Sequence, residues 1–166
     1  DAARKLAILS SIGFRANVTF DDVLVEGIEK IDKSDIQYAK DMGYTIKLLT
    51  VALRQENGIA LNVYPAFLPD NHPLSSVKGA YNAIYVTGNI VDDVMFYGRG
   101  AGALPTASAV MGDVISTAQH ILNGSTGTGM IMTDTKRIPF YSSLKLQNSY
   151  YFRLDVDDVT GVLSQI

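Results

Sequence analysis

The sequence predicts an α+β domain in which a mixed sheet with an antiparallel component is covered by helices. Three observations lead to this fold class. The chain opens on a helical segment, a strand–turn–strand pattern surrounds Asn57-Gly58, and a glycine-rich stretch leads into a long apolar helix. With 166 residues, 47% of them hydrophobic, the chain can bury the core of one domain.

The composition excludes several classes of protein. The absence of cysteine removes disulfide scaffolds, thiolate metal sites and cysteine nucleophiles, and two histidines are too few for a multi-histidine zinc site, so no metal is predicted. The formal net charge is −3 and no basic stripe is present, so no nucleic-acid partner is expected. No apolar run reaches the roughly 18 residues of a membrane span. No signal peptide is visible, and the expectation is a cytoplasmic protein.

The first part of the chain predicts two helices. Residues 1–13 form the first, with an apolar stripe made by Leu6, Leu9 and Phe14, together with Ile8 and Ile12. Residues 22–27 fit a short strand or a turn. Ser34 and Gln37 have the spacing of a capping box, so the second helix is expected to begin at Ser34 and to end at Gly43.

Strands and a third helix follow. Tyr44–Gln55 and Ile59–Phe67 are predicted to form a hairpin around Asn57-Gly58, closed by Pro65 and Pro69. Two shorter strands are expected at 83–87 and 94–97. A glycine-rich loop at 98–103 and a helix at 105–122 complete this part.

The last part of the chain predicts less. Residues 123–129 are rich in glycine, serine and threonine, as in a flexible linker, and no element is assigned to 130–148. Residues 150–156 alternate like a strand, 157–161 fit a turn, and 162–166 begin a helix. Because both ends of the sequence are abrupt, we expect this polypeptide to be a piece of a larger protein.

Asp1 and Lys5 are spaced i and i+4, so the predicted helix places them on one face. One interpretation is a surface ion pair, worth a few tenths of a kcal/mol. The other is a lysine that donates or accepts a proton while the carboxylate orients the lysine or a substrate. The spacing alone does not separate the two.

Residues 98–103, Gly-Arg-Gly-Ala-Gly-Ala, match the pattern G-x-G-x-x-A between a predicted strand and a predicted helix. This context suits a loop whose backbone amides approach a phosphate. A dinucleotide fingerprint also needs an acidic residue about 20 positions later and a second βαβ half, and neither follows. The pattern therefore favours a loop that needs glycine for its tight backbone geometry.

The motifs taken together resemble homoserine dehydrogenases. The resemblance rests on D-A-A-R-K-L-A-I-L at 1–9, on His72-Pro73-Leu74, and above all on M-F-Y-G-R-G-A-G-A-L-P-T-A-S-A-V at 95–110. It covers 1–122, which would be the substrate domain with the helix that returns to the nucleotide-binding domain. Residues 123–149 would then be a linker. Residues 150–166 resemble the start of a C-terminal ACT domain.

This resemblance implies an activity and its residues. The family interconverts L-homoserine and L-aspartate 4-semialdehyde with NAD or NADP, in threonine, methionine and isoleucine biosynthesis. Lys5 falls on the catalytic lysine, and Asp1 falls on a substrate-binding aspartate. The segment beside the cofactor contributes Gly98, Gly100, Ala101, Gly102 and Thr106. The family also implies a homodimer formed through the sheet.

The sequence departs from the family in two respects. The N-terminal Rossmann domain is missing, so the 166-residue chain is expected to be inactive alone. Arg99 stands where proline is common in the family, which bears on the shape of the loop. The alternative functions are a non-catalytic dimeric binding or regulatory module, and a self-contained nucleotide binder that uses residues 98–103.

Overall fold

The computed structural model describes residues 1–125, 138–141, 148–157 and 161–162. Eight helices and strands lie in this part: α1 (Ala2–Phe14), β1 (Leu24–Val25), α2 (Lys33–Asp41), β2 (Tyr44–Gln55), β3 (Gly58–Pro69), β4 (Tyr81–Gly88), β5 (Asp92–Arg99) and α3 (Ala103–Leu122). Short 3-10 helices occupy Phe20–Asp22 and Pro73–Ser76. The predicted α+β class is confirmed.

The strands form two sheets. The first has the order β1-β3-β2, in which β1 runs parallel and β2 antiparallel to β3, so this sheet is mixed as expected. The second sheet is the β4–β5 hairpin. The centre of the His72 ring, in the connection after β3, lies 5.2 Å from that of the Tyr85 ring of β4, so the hairpin contacts this connection.

Helix α1 packs mainly through small residues, and of the predicted stripe only Leu6 and the half-buried Phe14 contact the core. Its buried positions follow the helical spacing: Ala3, Leu6, Ala7, Ser10 and Ser11. From the predicted stripe, only Leu6 is buried, whereas Ile8, Leu9 and Ile12 are exposed. Alanine and serine allow a helix to lie close to a sheet, so this prediction was wrong because it followed side-chain size.

The core lies between α1 and β3. The α1 residues Ala3, Leu6 and Ala7 share one apolar cluster with Ile59 and Val63 of the central strand. The Ile59 side chain is completely buried, at 0% exposure. Since the helix that carries Lys5 rests on this cluster, the cluster also fixes the position of the candidate catalytic lysine.

The predicted hairpin is confirmed, but its loop consists of Glu56 and Asn57, because Gly58 already pairs with Gln55. Gly58 has a φ of 143°, and a Cβ there would overlap the carbonyl oxygen of Pro139. That carbonyl accepts a hydrogen bond of 3.0 Å from the Ile59 amide. Glycine is needed at this position because a second segment approaches the backbone.

Strand β3 continues through Pro65 and ends at Pro69, the second of the two prolines that were expected to close it. The backbone N–H and C=O groups of the odd-numbered residues of β3 point away from β2. Val63 shows this, because its carbonyl accepts a hydrogen bond from the Glu26 amide and not from β2. Pro65 and Pro69 have the same parity, so their nitrogens face away from β2 as well. No hydrogen bond of the β2–β3 ladder is lost, which is why the strand tolerates them.

The N-cap of helix α2 lies two residues before the predicted one. It is Asp32 and not Ser34, because an Asp32 carboxylate oxygen accepts hydrogen bonds from the amides of Ser34 and Asp35. The Asp35 carboxylate in turn accepts from the Asp32 amide at 3.0 Å. Two aspartates thus form the reciprocal capping box that was expected for Ser34 and Gln37.

The strand expected at 150–156 is absent: residues 148–157 form no ladder with any described strand. The predicted alternation is visible in the side chains, since Tyr151 and Arg153 contact α2 while Tyr150 and Phe152 are exposed. A strand needs a paired partner, and alternation does not supply one. Residues 126–129 of the expected linker and 163–166 of the expected last helix lie outside the described residues.

Candidate functional site

The candidate catalytic pair lies at the N-terminus of α1. The Lys5 ammonium is 2.8 Å from a carboxylate oxygen of Asp1, so the two side chains share a helix face as predicted. Both are open to solvent, with side-chain exposures of 68% for Lys5 and 82% for Asp1. A pair this exposed contributes about 0–1 kcal/mol to folding.

The side chain of Asp1 does not cap helix α1, although Asp1 stands at the N-cap position. Asp1 is the N-cap of α1, yet its carboxylate accepts no hydrogen bond from the first-turn amides. Only its backbone carbonyl takes part, accepting from the Lys5 amide at 3.1 Å. An N-cap aspartate normally stabilises a helix by about 1 kcal/mol through its side chain. Here that carboxylate is directed at the lysine and at solvent.

The glycine-rich segment is shorter than the predicted 98–103 loop. Gly98 and Arg99 belong to β5 and Ala103 opens α3, which leaves Gly100, Ala101 and Gly102 as the connection. Gly102 is the N-cap of α3, with a φ of 123° that favours glycine. Glycine has no side chain to cap the helix, and Pro105 has no amide hydrogen, so the amides of Ala103 and Leu104 are the ones left without a side-chain cap.

The remaining predicted residues of this segment lie beside that connection. Thr106 is in the first turn of α3, and its amide donates to the Gly102 carbonyl at 3.1 Å. Arg99 places its guanidinium 5.0 Å from the centre of the Tyr81 ring, and that ring stacks on Tyr97 at 4.9 Å. Arg99 is therefore held against β4 by a cation–π contact.

The structure brings together some of the predicted site residues and not others. Lys5 contacts Asp1, and Gly98, Gly100, Ala101, Gly102 and Thr106 are near neighbours along β5 and α3. No hydrogen bond or ion pair in the described ranges joins these two groups. Within the same ranges, no group of three potential ligand side chains could hold a metal ion. No described helix has the length and apolarity for crossing a bilayer.

Sequence reasoning missed an ionic cluster at the start of α2. Arg153 reaches Asp32 at 2.6 Å and Asp35 at 2.7 Å, and the Tyr151 hydroxyl donates to Asp35 at 3.1 Å. Asp35 is only 5% exposed, and the Tyr151 ring stacks on Phe67 at 4.6 Å. The cluster anchors residues 148–157 to the first sheet. Alternation of Tyr151 and Arg153 was the only sequence signal, and it named no partner.

This cluster makes the attachment of residues 148–157 sensitive to acid. The hydrogen bond from Arg153, followed by that from the Asp35 amide, lowers the pKa of Asp32 from 3.8 to about 2. Because the folded state favours the ionised carboxylate, its stabilising effect is complete above the unfolded pKa. The effect should be lost as the pH falls from about 4 to about 2.

An NMR titration of the Asp32 carboxyl group checks this prediction. A midpoint near pH 2 is expected, and Arg153→Ala should move it back toward 3.8. Arg153→Lys is the matched control, because lysine keeps the charge but cannot bridge two carboxylates with a planar fork. A midpoint that is the same with and without Arg153 would contradict the assignment of the ion pair.

Comparison with known proteins shows which family has these features. Residues 1–115, which include Lys5, Asp1 and the glycine-rich connection, match the family model described as homoserine dehydrogenase. The chain belongs to the homoserine dehydrogenase family. The resemblance read from the sequence motifs is confirmed. It extends beyond the matched residues, because curated homoserine dehydrogenases align with the full length of this chain.

Two of these relatives show the extent of the similarity. The homoserine dehydrogenase of Bacillus subtilis is 40% identical over 166 residues, and that of Corynebacterium glutamicum is 41% identical over 171 residues. Each alignment covers 100% of this chain but 38% of the relative. The chain therefore spans a little over a third of the length of the homoserine dehydrogenases that it matches.

Solved homoserine dehydrogenase structures have the same fold. The enzyme from Thiobacillus denitrificans superposes with a TM-score of 0.78 at 37% identity, covering 84% of this chain and 33% of that one. The S. aureus enzyme at pH 7.5 gives a TM-score of 0.68 at 38% identity, covering 78% and 32%. The α+β arrangement is therefore that of one region of a homoserine dehydrogenase.

Proposed function

We propose that the whole protein is a homoserine dehydrogenase, which interconverts L-homoserine and L-aspartate 4-semialdehyde with NAD or NADP. The observation that carries this proposal is the exposed Lys5–Asp1 pair at the start of a helix in a chain of this family. The products of this reaction would serve threonine, methionine and isoleucine biosynthesis. Its small, polar substrates favour a cytoplasmic enzyme.

Lys5 is proposed as the proton donor and acceptor at the substrate oxygen. When the aldehyde is reduced, the Lys5 ammonium would donate a proton to the oxygen that becomes the alcohol. When homoserine is oxidised, the neutral amine would accept the hydroxyl proton. The core beneath α1 holds the backbone of Lys5, while the exposed side chain remains free to meet a substrate.

Asp1 is proposed as the residue that orients Lys5 and binds the substrate. Its carboxylate already accepts from the lysine at 2.8 Å, and its second oxygen has no hydrogen-bond partner in the described part of the chain. That oxygen can accept from a hydroxyl or ammonium group of the substrate. A carboxylate in this place also balances the positive charge of the Lys5 ammonium between proton transfers.

The glycine-rich connection fits a nicotinamide cofactor. A Cβ at Gly98 would meet no atom within 4 Å, and the Gly102 N-cap offers no side chain to the amides of Ala103 and Leu104. A planar ring or a carboxamide can therefore approach the backbone closely. The bound cofactor would supply the hydride chemistry, and we propose that Gly98, Gly100, Ala101, Gly102 and Thr106 position it.

The division of the chain follows the same proposal. Residues 1–122 would be the substrate domain, 123–149 a linker, and 150–166 the start of an ACT domain. The contacts of Arg153 with α2 would then join the regulatory part to the substrate domain. The largely exposed apolar face of the β4–β5 hairpin, which includes Ile84 and Phe96, supports a homodimer formed through the sheet.

The experiment that tests this function compares two proteins. The full-length gene product that contains this sequence should oxidise L-homoserine with NAD(P)⁺, measured as the absorbance of the reduced cofactor. The 166-residue chain by itself should show no turnover, because the family's nucleotide-binding domain is not among these residues. Homoserine oxidation by the isolated chain would overturn the second expectation, and an inactive full-length protein would overturn the proposed function.

A further inference from the structure

The side chain of Asn82 lies against the glycine-rich connection. Asn82 in β4 pairs with Gly98 in β5, and the ladder continues when the Gly100 amide donates to the Ala80 carbonyl at 3.1 Å. The Asn82 amide nitrogen lies 3.5 Å from the same carbonyl oxygen. Asn82, Gly98 and Gly100 therefore share one face of the hairpin, where both positions next to Asn82 are glycine.

The two glycines have different surroundings on that face. A Cβ at Gly98 would meet nothing within 4 Å, whereas a Cβ at Gly100 would overlap the Asn82 amide nitrogen and lie 2.7 Å from its Cγ. Gly100 is not among the residues with positive φ, so its backbone does not demand glycine. Gly98 leaves space that a ligand could enter, while the Asn82 side chain occupies the corresponding space at Gly100.

We propose that Asn82 is a positioning residue that fixes the path of residues 100–102 and, through it, the first turn of α3. The Asn82 amide fills the place that a side chain at Gly100 would occupy, so it limits by its bulk where the connection can lie at the end of β4. The backbone contributes as well, because the Ala80 carbonyl accepts a hydrogen bond from the Gly100 amide at the start of the connection. The inference rests on the proposed function, because the ligand that this geometry serves is the nicotinamide cofactor.

Shortening Asn82 should therefore change cofactor binding more than substrate binding. In the full-length protein, Asn82→Ala should raise KM for NAD(P)⁺ about 10-fold to 100-fold, the scale of a misplacement by about 1 Å. KM for homoserine should stay unchanged, since Lys5 and Asp1 lie on α1. The matched control is Asn89→Ala, which shortens an asparagine in the turn between β4 and β5, at the opposite end of the hairpin.

A double-mutant cycle tests the contact itself. Gly100→Ala should also raise KM for NAD(P)⁺, because its Cβ displaces Asn82. In the double variant, the new methyl group enters the space that Asn82→Ala vacates, so the combined effect should be no larger than that of the worse single change. Gly13→Ala is the control for an added methyl group, because a Cβ at this position in α1 would also point into open space and lies outside the glycine-rich connection.

Hydrogen exchange at the Gly100 amide provides a readout without any cofactor. Asn82→Ala should accelerate this exchange, because the turn loses its support, while Asn89→Ala should leave it unchanged. Multiplicative effects in the cycle, or an unchanged KM for NAD(P)⁺ in Asn82→Ala, would overturn the role of Asn82. If the unsubstituted full-length protein neither binds NAD(P) nor oxidises homoserine, the proposed function fails, and the cofactor role of Asn82 fails with it.

Discussion

Replacing Lys5 by alanine in the full-length protein is expected to lower kcat for homoserine oxidation by about 10²–10⁴-fold, the range that a positioned proton donor or acceptor contributes. The variant should fold normally. The Lys5 side chain is mostly exposed, and its ion pair with Asp1 is worth about 0–1 kcal/mol. Removing both should therefore change the free energy of unfolding little. A large loss of rate without a loss of stability is the expected signature.

Steady-state kinetics and thermal unfolding of the same preparations check this result. Lys40→Ala removes a lysine from the last turn of α2 and is the control for a change of surface charge. Asp1→Asn should have an intermediate effect, because an amide can still contact Lys5 but carries no charge. A Lys5→Ala variant that retains kcat within a factor of about three would show that another group transfers the proton.

The largest effect on stability is expected from Ile59→Ala, which should lower the free energy of unfolding by about 2–5 kcal/mol. Ile59 is completely buried at the centre of the cluster between α1 and β3. Its backbone also bonds Pro139 and Tyr141, so the neighbouring segment restricts collapse around the vacated volume. Removing three carbon atoms here leaves a cavity that the close-packed core cannot fill.

Denaturant unfolding of the 166-residue chain measures this change. Ile36→Ala is the matched control, because Ile36 lies on α2 with 56% exposure and alanine is the better helix former. Ile59→Val should fall between the unsubstituted chain and Ile59→Ala, since it removes one methyl group. Equal effects at positions 36 and 59 would mean that the α1–β3 cluster is not the stabilising core.

The parts of the fold that could be predicted from the sequence are those coded by nearby residues. The helix at 1–13, the strand Tyr44–Gln55 and the hairpin at Asn57 depend on periodicity and turn chemistry within a short window. The i and i+4 spacing of Asp1 and Lys5 likewise predicted their contact. What that contact does is not coded in the spacing, and only the family resemblance favours catalysis over a surface ion pair.

The parts that could not be predicted depend on partners far along the chain. Arg153 and Asp35 are 118 residues apart, and no local pattern at either position names the other. The clash that glycine avoids at Gly58 comes from Pro139, and the one at Gly100 comes from Asn82. In each case, the sequence shows a glycine, while the reason for it lies on another strand or segment.

The two prolines of β3 also limit how copies of this protein can associate. Beyond Val63, the edge that faces away from β2 presents Pro65, Phe67 and Pro69, and only Phe67 has an amide hydrogen to donate. An incoming strand would find one donor where an unbroken edge offers three, so intermolecular strand addition is disfavoured here. Copies that meet at this part of the first sheet must therefore bury side-chain faces, and a fibril-like extension of the ladder is blocked at its first step.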